Sequence, residues 1–245
     1  MADLFALLSY GPEGWGDEIA AGTWLTIRLA LATLPFGLVL GFLVALGRDT
    51  KKRVPAVIAL RAAANAYTTI FRGLPELLTL FIIYYGGQIL LQSLVNLFVA
   101  GAYVEVSGFL AGMVALGLVF SAFASEVFLG ALRAISAGQI EAAQALGLKR
   151  WQTLRFVIVP QLWRYALPGL GNLWLVLLKD TSLVSVIALS DLLRQTNVAV
   201  GVSKQPFFFY LLACLIYLVM SMVSGVAIQA LEAWTYRSER RVGAA

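Results

Sequence analysis

Residues 206–231, PFFFYLLACLIYLVMSMVSGVAIQAL, contain no Asp, Glu, Lys or Arg. About 20 predominantly apolar residues let a helix cross the hydrocarbon core of a bilayer. In lipid every backbone N–H and C=O must be satisfied inside the structure, so a run of this length is a helix. Comparable runs recur, and spans are expected near 20–47, 74–98, 107–132, 162–190 and 206–234. Composition agrees: 60% of residues are hydrophobic and 13% charged, whereas about a quarter of a soluble domain is charged. The expected fold class is an all-α membrane protein of about five transmembrane helices, a single transmembrane domain over 1–245.

Several chemistries are closed to such a chain. It has no histidine, and Cys214 is its one cysteine, which excludes an intrachain disulfide, a His/Cys metal site and a His-based triad. No GxxxxGK[ST] phosphate loop occurs, so the chain has no P-loop ATP site of its own. The net charge of +5 comes from basic residues at the ends of apolar runs, where topology explains them; no nucleic-acid partner is expected. The opening MADLFALLSYGPEGWGDE lacks a basic n-region and a small-residue cleavage site, so a signal peptide is not expected.

Lys and Arg favour cytoplasmic loops. Arg48, Lys51, Lys52 and Arg53 fill the first connector, Lys149, Arg150 and Arg155 the central one, with Arg133 and Arg164 at its edges, and Arg237, Arg240 and Arg241 the tail. The N-terminal tail and residues 92–106 have no basic residue, and 191–205 has Arg194 and Lys204. The expectation is five crossings, N-terminus outside and C-terminus inside. Residues 55–72, with Arg61, Asn65 and Arg72, read as a helix at the inner face; a sixth crossing there would put both termini on one side, against the charges. Gly37-x3-Gly41 and Gly108-x3-Gly112 are small-xxx-small patterns suited to close helix packing. Pro35 and Pro168 sit within spans, and Trp24, Trp163 and Trp234 near span ends, as interfacial aromatics do.

Between two spans lies 141–161, EAAQALGLKRWQTLRFVIVPQ, too charged to cross lipid. Residues 138–146 favour helix, and Gly147 suits the left-handed residue that closes one. A second helix is expected over 148–159, with Trp151, Leu154 and Ile158 as its apolar stripe and Pro160 as its stop. From the residues alone this unit (138–160) either docks a partner or rests on lipid headgroups.

Glu141-Ala142-Ala143, three residues, Gly147, nine residues, then Val157-Ile158-Val159-Pro160 resembles the EAA loop of ATP-binding-cassette importer permeases, EAA-x3-G-x9-I-x-L-P, with Val at both aliphatic positions. GTWLTIRLAL (22–31), FRGLPELLTLF (71–81), SEVFLGALRAI (125–135), RYALPGLGNLW (164–174) and LKDTSLVSVI (178–187) are similar to polar amino-acid permeases of the Q type found in histidine, arginine and opine systems. The resemblance implies a type I importer permease fold in a bacterial inner membrane. Gly138, Glu141, Ala142, Ala143, Gly147 and Pro160 would belong to the coupling helix. Implied partners are an M-type permease subunit (or a second copy), two cytoplasmic ATPase subunits holding ATP and Mg2+, and a periplasmic amino-acid-binding protein. The cargo would be a polar, basic amino acid or an opine. A standalone secondary transporter is the rival class, but it would leave the EAA loop without purpose and usually shows an internal repeat. An intramembrane enzyme would need a nucleophile and base that no spacing supplies.

Ionisable residues within spans are costly and invite a functional reading. Glu76 could bind a cationic group of the substrate or pair with Arg72 four residues earlier. Glu126, Lys179, Asp180, Ser182 and Asn172 either line the pathway or, for the charges, pair across helices. Asp191 and Arg194 are read outside, as a solvated helix face or as contacts for a binding protein and outer gate.

Overall fold

The computed structural model describes residues 6–11, 14–50, 54–99, 101–187 and 189–242, with the side chains of 236–242 left out. Lys51, Lys52 and Arg53 and the side chains of Arg237, Arg240 and Arg241 thus lie outside the described residues. The elements are α1 (Gly16–Asp49), α2 (Pro55–Gly73), α3 (Glu76–Phe81), a π-turn (Ile82–Gly86), α4 (Gly87–Phe98) and α5 (Gly108–Ala134). There follow α6 (Ala137–Ala145), α7 (Arg150–Thr153), a second π-turn (Leu154–Ile158), α8 (Val159–Asp180), a 3-10 turn (Thr181–Ile187), α9 (Leu192–Ser203) and α10 (Pro206–Val242). No strand occurs among the described residues.

Five segments are long and apolar enough to cross a membrane: Gly16–Asp49, Glu76–Phe98, Gly108–Ala134, Arg150–Ile187 and Pro206–Thr235. They match the five expected spans, and α2 is not one of them. Pro55 opens α2, where its missing N–H is no loss. Only Thr68 of α2 is buried. Pro35 and Pro168 lie inside continuous helices, and Trp24, Trp163 and Trp234 are exposed.

Two expectations around the fourth span need correction. Pro160 does not stop a helix, because the chain runs from Arg150 to Asp180 as α7, a π-turn and α8. Proline removes one backbone bond and crowds the carbonyl four residues before it, and the wider π-turn just ahead of Pro160 accommodates both. At the other end, α-helix gives way to a 3-10 turn after Asp180, short of the expected limit at 190.

The chain forms two compact units. One comprises Met1–Phe36, Leu74–Val119 and Val176–Met222; the other comprises Gly37–Gly73, Phe120–Leu175 and Val223–Ala245. Within the first, Ile19, Leu192 and Ala213 form a buried cluster covered by Trp15, Leu212, Ile216, Tyr217 and Met220, and Gly112 lets Val184 and Leu29 approach. Within the second, a Cβ on Gly41 would lie 2.9 Å from both the Ser121 carbonyl oxygen and the Ala124 Cβ. That is the close contact which a small-xxx-small pattern permits. Phe128 stacks edge-on with Phe42 and Trp163, at centroid distances of 5.4 and 6.1 Å. α5 carries the core, with 61% of its most apolar window buried against 6% for α10. Such an exposed apolar helix suits lipid or another transmembrane subunit.

Candidate functional site

The unit that stands between the third and fourth spans is built by helix-ending chemistry. Ser136 precedes α6 in extended conformation, and Gly147 follows it at φ +78°. The Gly147 N–H donates to Gln144 O (2.9 Å) and the Leu148 N–H to Ala143 O (3.1 Å). This is a Schellman closure, which needs a left-handed residue where glycine now sits. Ala143 is buried beneath it, while Gly138, Glu141, Ala142 and Leu146 face outward. Ile140, Gln144, Arg150, Trp151, Thr153, Leu154 and Ile158 line an open groove of about 580 Å³ beside α6. The expected stripe of Trp151, Leu154 and Ile158 therefore lines a groove instead of packing into a core. Trp151 is 65% and Leu146 82% exposed, large apolar side chains left uncovered in a polar stretch. Such a patch marks a protein or membrane contact.

Polar ties anchor α2 in the second unit. Arg48, near the end of α1, donates to Asn65 Oδ1 (3.0 Å), Ser125 Oγ (3.2 Å) and Glu126 Oε1 (3.0 Å). Arg72 donates to the same Glu126 oxygen and lies 5.6 Å from the Phe123 ring centroid. Tyr67 and Ser121 share a hydroxyl–hydroxyl bond of 2.6 Å. Of the two readings open for Glu126, this geometry is that of cross-helix pairing. It also gives Arg72 a carboxylate partner in Glu126, where the sequence had offered Glu76.

Glu76 and Asp180 both lie in the first unit. Glu76 is the first residue of α3, and α3 packs on the 3-10 turn that follows Asp180. The two carboxylates are within electrostatic reach of each other, with Lys179 beside Asp180. Glu76 sits at the helix end that favours negative charge, Asp180 at the end that disfavours it. Lys179 is exposed and Ser182 half-buried; Asn172, exposed on α8, belongs to the second unit.

Asp191 corrects the expectation of a solvated Asp191–Arg194 face. Its side chain is fully buried and caps α9, accepting from the Leu193 and Arg194 backbone amides at 3.4 and 3.0 Å. Burial lifts its pKa to about 6, against the lowering effect of those hydrogen bonds. Only Arg194 of the pair stays exposed.

Sequence reasoning took Arg48 for a topological charge and Asn65 for a mark of an inner-face helix, and it overlooked Tyr67. It also passed over Gln88 and Gln92 on α4, spaced four apart on one helix face, which was the available signal. Both bond the backbone of the extended segment 102–106.

Comparison with known proteins places this architecture. Residues 37–236 match the family described as binding-protein-dependent transport system inner membrane component. An octopine transport system permease protein of Rhizobium meliloti is 40% identical over 96% of this chain and 97% of its own length. An arginine ABC transporter permease protein of Escherichia coli (strain K12) is also 40% identical, over 91% of this chain and 97% of its own length. A crystal structure of an amino acid ABC transporter with histidines superposes with a TM-score of 0.77 at 28% identity, covering 95% of this chain and 99% of that one. An inward-facing MetNI methionine ABC transporter, 20% identical with a TM-score of 0.70 over 89% and 96% of the two chains, shares the fold. Systems of this kind work with a binding protein and an ATPase, which sits on separate subunits. With five membrane-length segments and an exposed helical unit between the third and fourth, the chain belongs to the binding-protein-dependent transport system inner membrane component family, as a multi-span permease subunit.

Proposed function

We propose that this chain is the Q-type permease of an ATP-driven importer for cationic amino acids or opines. It pairs with a homologous M-type subunit, and its N-terminus faces the periplasm and its C-terminus the cytoplasm. Inside, α6 (Gly138, Glu141, Ala142, Ala143) with its Gly147 closure and the Trp151 groove seats in an ATPase subunit, which holds ATP and Mg2+. Closure of the ATPase pair moves this unit as a rigid body and switches the bundle between two packings. ATP drives the switch through its different affinity for the two states.

The observation that carries the substrate class is the approach of Glu76 to Asp180. An ammonium or guanidinium group would relieve their mutual repulsion, and the Lys179 and Ser182 side chains would offer polar contacts beside them. Substrate names attached to relatives, octopine and arginine, fit that charge. The test is uptake of labelled arginine and glutamine by the reconstituted transporter carrying Glu76→Gln or Asp180→Asn. A charge-assisted hydrogen bond is worth about 1.5–3 kcal/mol, so KM for the cation should rise roughly tenfold or more with the complex still assembled. An unchanged KM, or a complex that no longer assembles, would overturn this assignment.

A further inference from the structure

After α4 the chain turns at Gly101 (φ +82°) and runs extended from Ala102 to Ser107. Hydrogen bonds from α4 hold one edge of this segment. Gln88 donates to Val104 O (2.6 Å) and accepts from the Val106 N–H (2.7 Å). Gln92 donates to Ala102 O (2.5 Å) and accepts from the Val104 N–H (3.1 Å). Two side-chain amides, one helical turn apart, thus take the place of a neighbouring strand. Only the even-numbered residues are engaged. In an extended chain the N–H and C=O of successive residues point to opposite sides. Those of Tyr103 and Glu105 therefore face away from α4, and they form no hydrogen bond among the described residues. Exposure alternates in step: Tyr103, Glu105 and Ser107 are open, and Ala102, Val104 and Val106 half-covered.

Such a segment presents one free, strand-like edge, already held by α4 for a partner strand to add. We infer that Tyr103–Glu105 is an edge on which an extended segment of the extracytoplasmic binding protein docks by strand addition. The choice of occupant rests on the importer reading above. One span separates this loop from the α6 unit, so it emerges on the membrane face opposite the ATPase, where the binding protein arrives. Glu105 would select a basic residue on the incoming strand, and Tyr103, 76% exposed, an aromatic or β-branched one.

The experiment is hydrogen exchange, read residue by residue, on the assembled transporter in nanodiscs with and without saturating binding protein. ATP hydrolysis is measured on the same sample. Without binding protein, the Tyr103 and Glu105 amides should exchange quickly and the Val104 and Val106 amides slowly. With it, Tyr103 and Glu105 should slow at least tenfold. No change on saturation, in a sample whose hydrolysis is stimulated, would overturn the proposal. Protection of both amides before addition would also overturn it, by naming the partner permease as occupant. Absence of stimulation in the unmodified transporter would instead count against the importer reading. As a second measure, Glu105→Pro removes one outward N–H and no internal bond. It should weaken binding-protein affinity about fivefold, as the loss of one net hydrogen bond does, with basal hydrolysis unchanged. An equal loss with Glu105→Ala would mean that the side chain and not the backbone edge is recognised, which refutes strand addition.

Discussion

Glu126→Gln separates a load on the structure from a role in transport. The Glu126 carboxylate serves Arg48, whose side chain is 12% exposed, and Arg72, which is 43% exposed. Glutamine keeps the shape and one acceptor but removes the charge. Breaking a fully buried pair costs about 3–5 kcal/mol, because the surviving charge is left uncompensated. Here the carboxylate is 34% exposed, and Arg48 retains Asn65 and Ser125 as neutral acceptors. Arg72 is solvated enough to lose little. The expected loss is about 2 kcal/mol. For a chain of this size that corresponds to a fall in Tm of roughly 4–8 °C, read by thermal melts of the purified complex in detergent. A double-mutant cycle with Arg48→Gln should recover about half of the loss, since removing both leaves only the solvated Arg72 charge without its partner. The surviving folded transporter should keep its KM. An unchanged Tm with KM raised tenfold would refute the reasoning and make Glu126 a ligand of the pathway.

Three further outcomes follow from the same geometry. Gly147→Ala meets no atom within 4 Å but must hold φ near +78°, at about 1–2 kcal/mol; transport per ATP hydrolysed should fall, and Gly147→Asn, which tolerates this conformation, should fall less. Gly41→Val should cost about 2–3 kcal/mol, since the Ser121 carbonyl cannot yield, whereas Gly47→Ala, with Ala64 at 3.6 Å, should be neutral or slightly stabilising in the same melts. Asp191 ionises near pH 6 in the folded chain against an ordinary 3.8, so the folded state takes up a proton which the unfolded chain releases. Its ionisation therefore opposes folding above pH 6, and stability should rise as pH falls from about 6 to 4, by at most about 3 kcal/mol; Asp191→Asn, which still caps α9, should abolish that slope, and an unaltered slope would assign it elsewhere.

The sequence by itself determined the membrane class, the five spans and the position of the α6 unit. Each follows from chemistry local to a short stretch. Lipid demands about 20 apolar residues wherever a helix crosses, and Gly147 announces a left-handed helix end regardless of its neighbours. Tertiary structure alone decided which charges meet. Arg48, Asn65, Arg72 and Glu126 lie on three helices, and nothing in their spacing says that Arg72 turns to Glu126 instead of the nearer Glu76. The same holds for Asp191, whose i,i+3 spacing to Arg194 suits a solvated face until burial turns the carboxylate onto the backbone. Span boundaries such as Pro160 fall between the two cases. The residue forbids an ordinary α-helical bond, but only the surrounding chain decides whether helix ends there or widens by a π-turn and continues. Periodicity reports on one helix at a time. The partner of a buried charge is set by how helices distant in sequence pack, because in a low-dielectric interior each ion must find its partner wherever packing brings one.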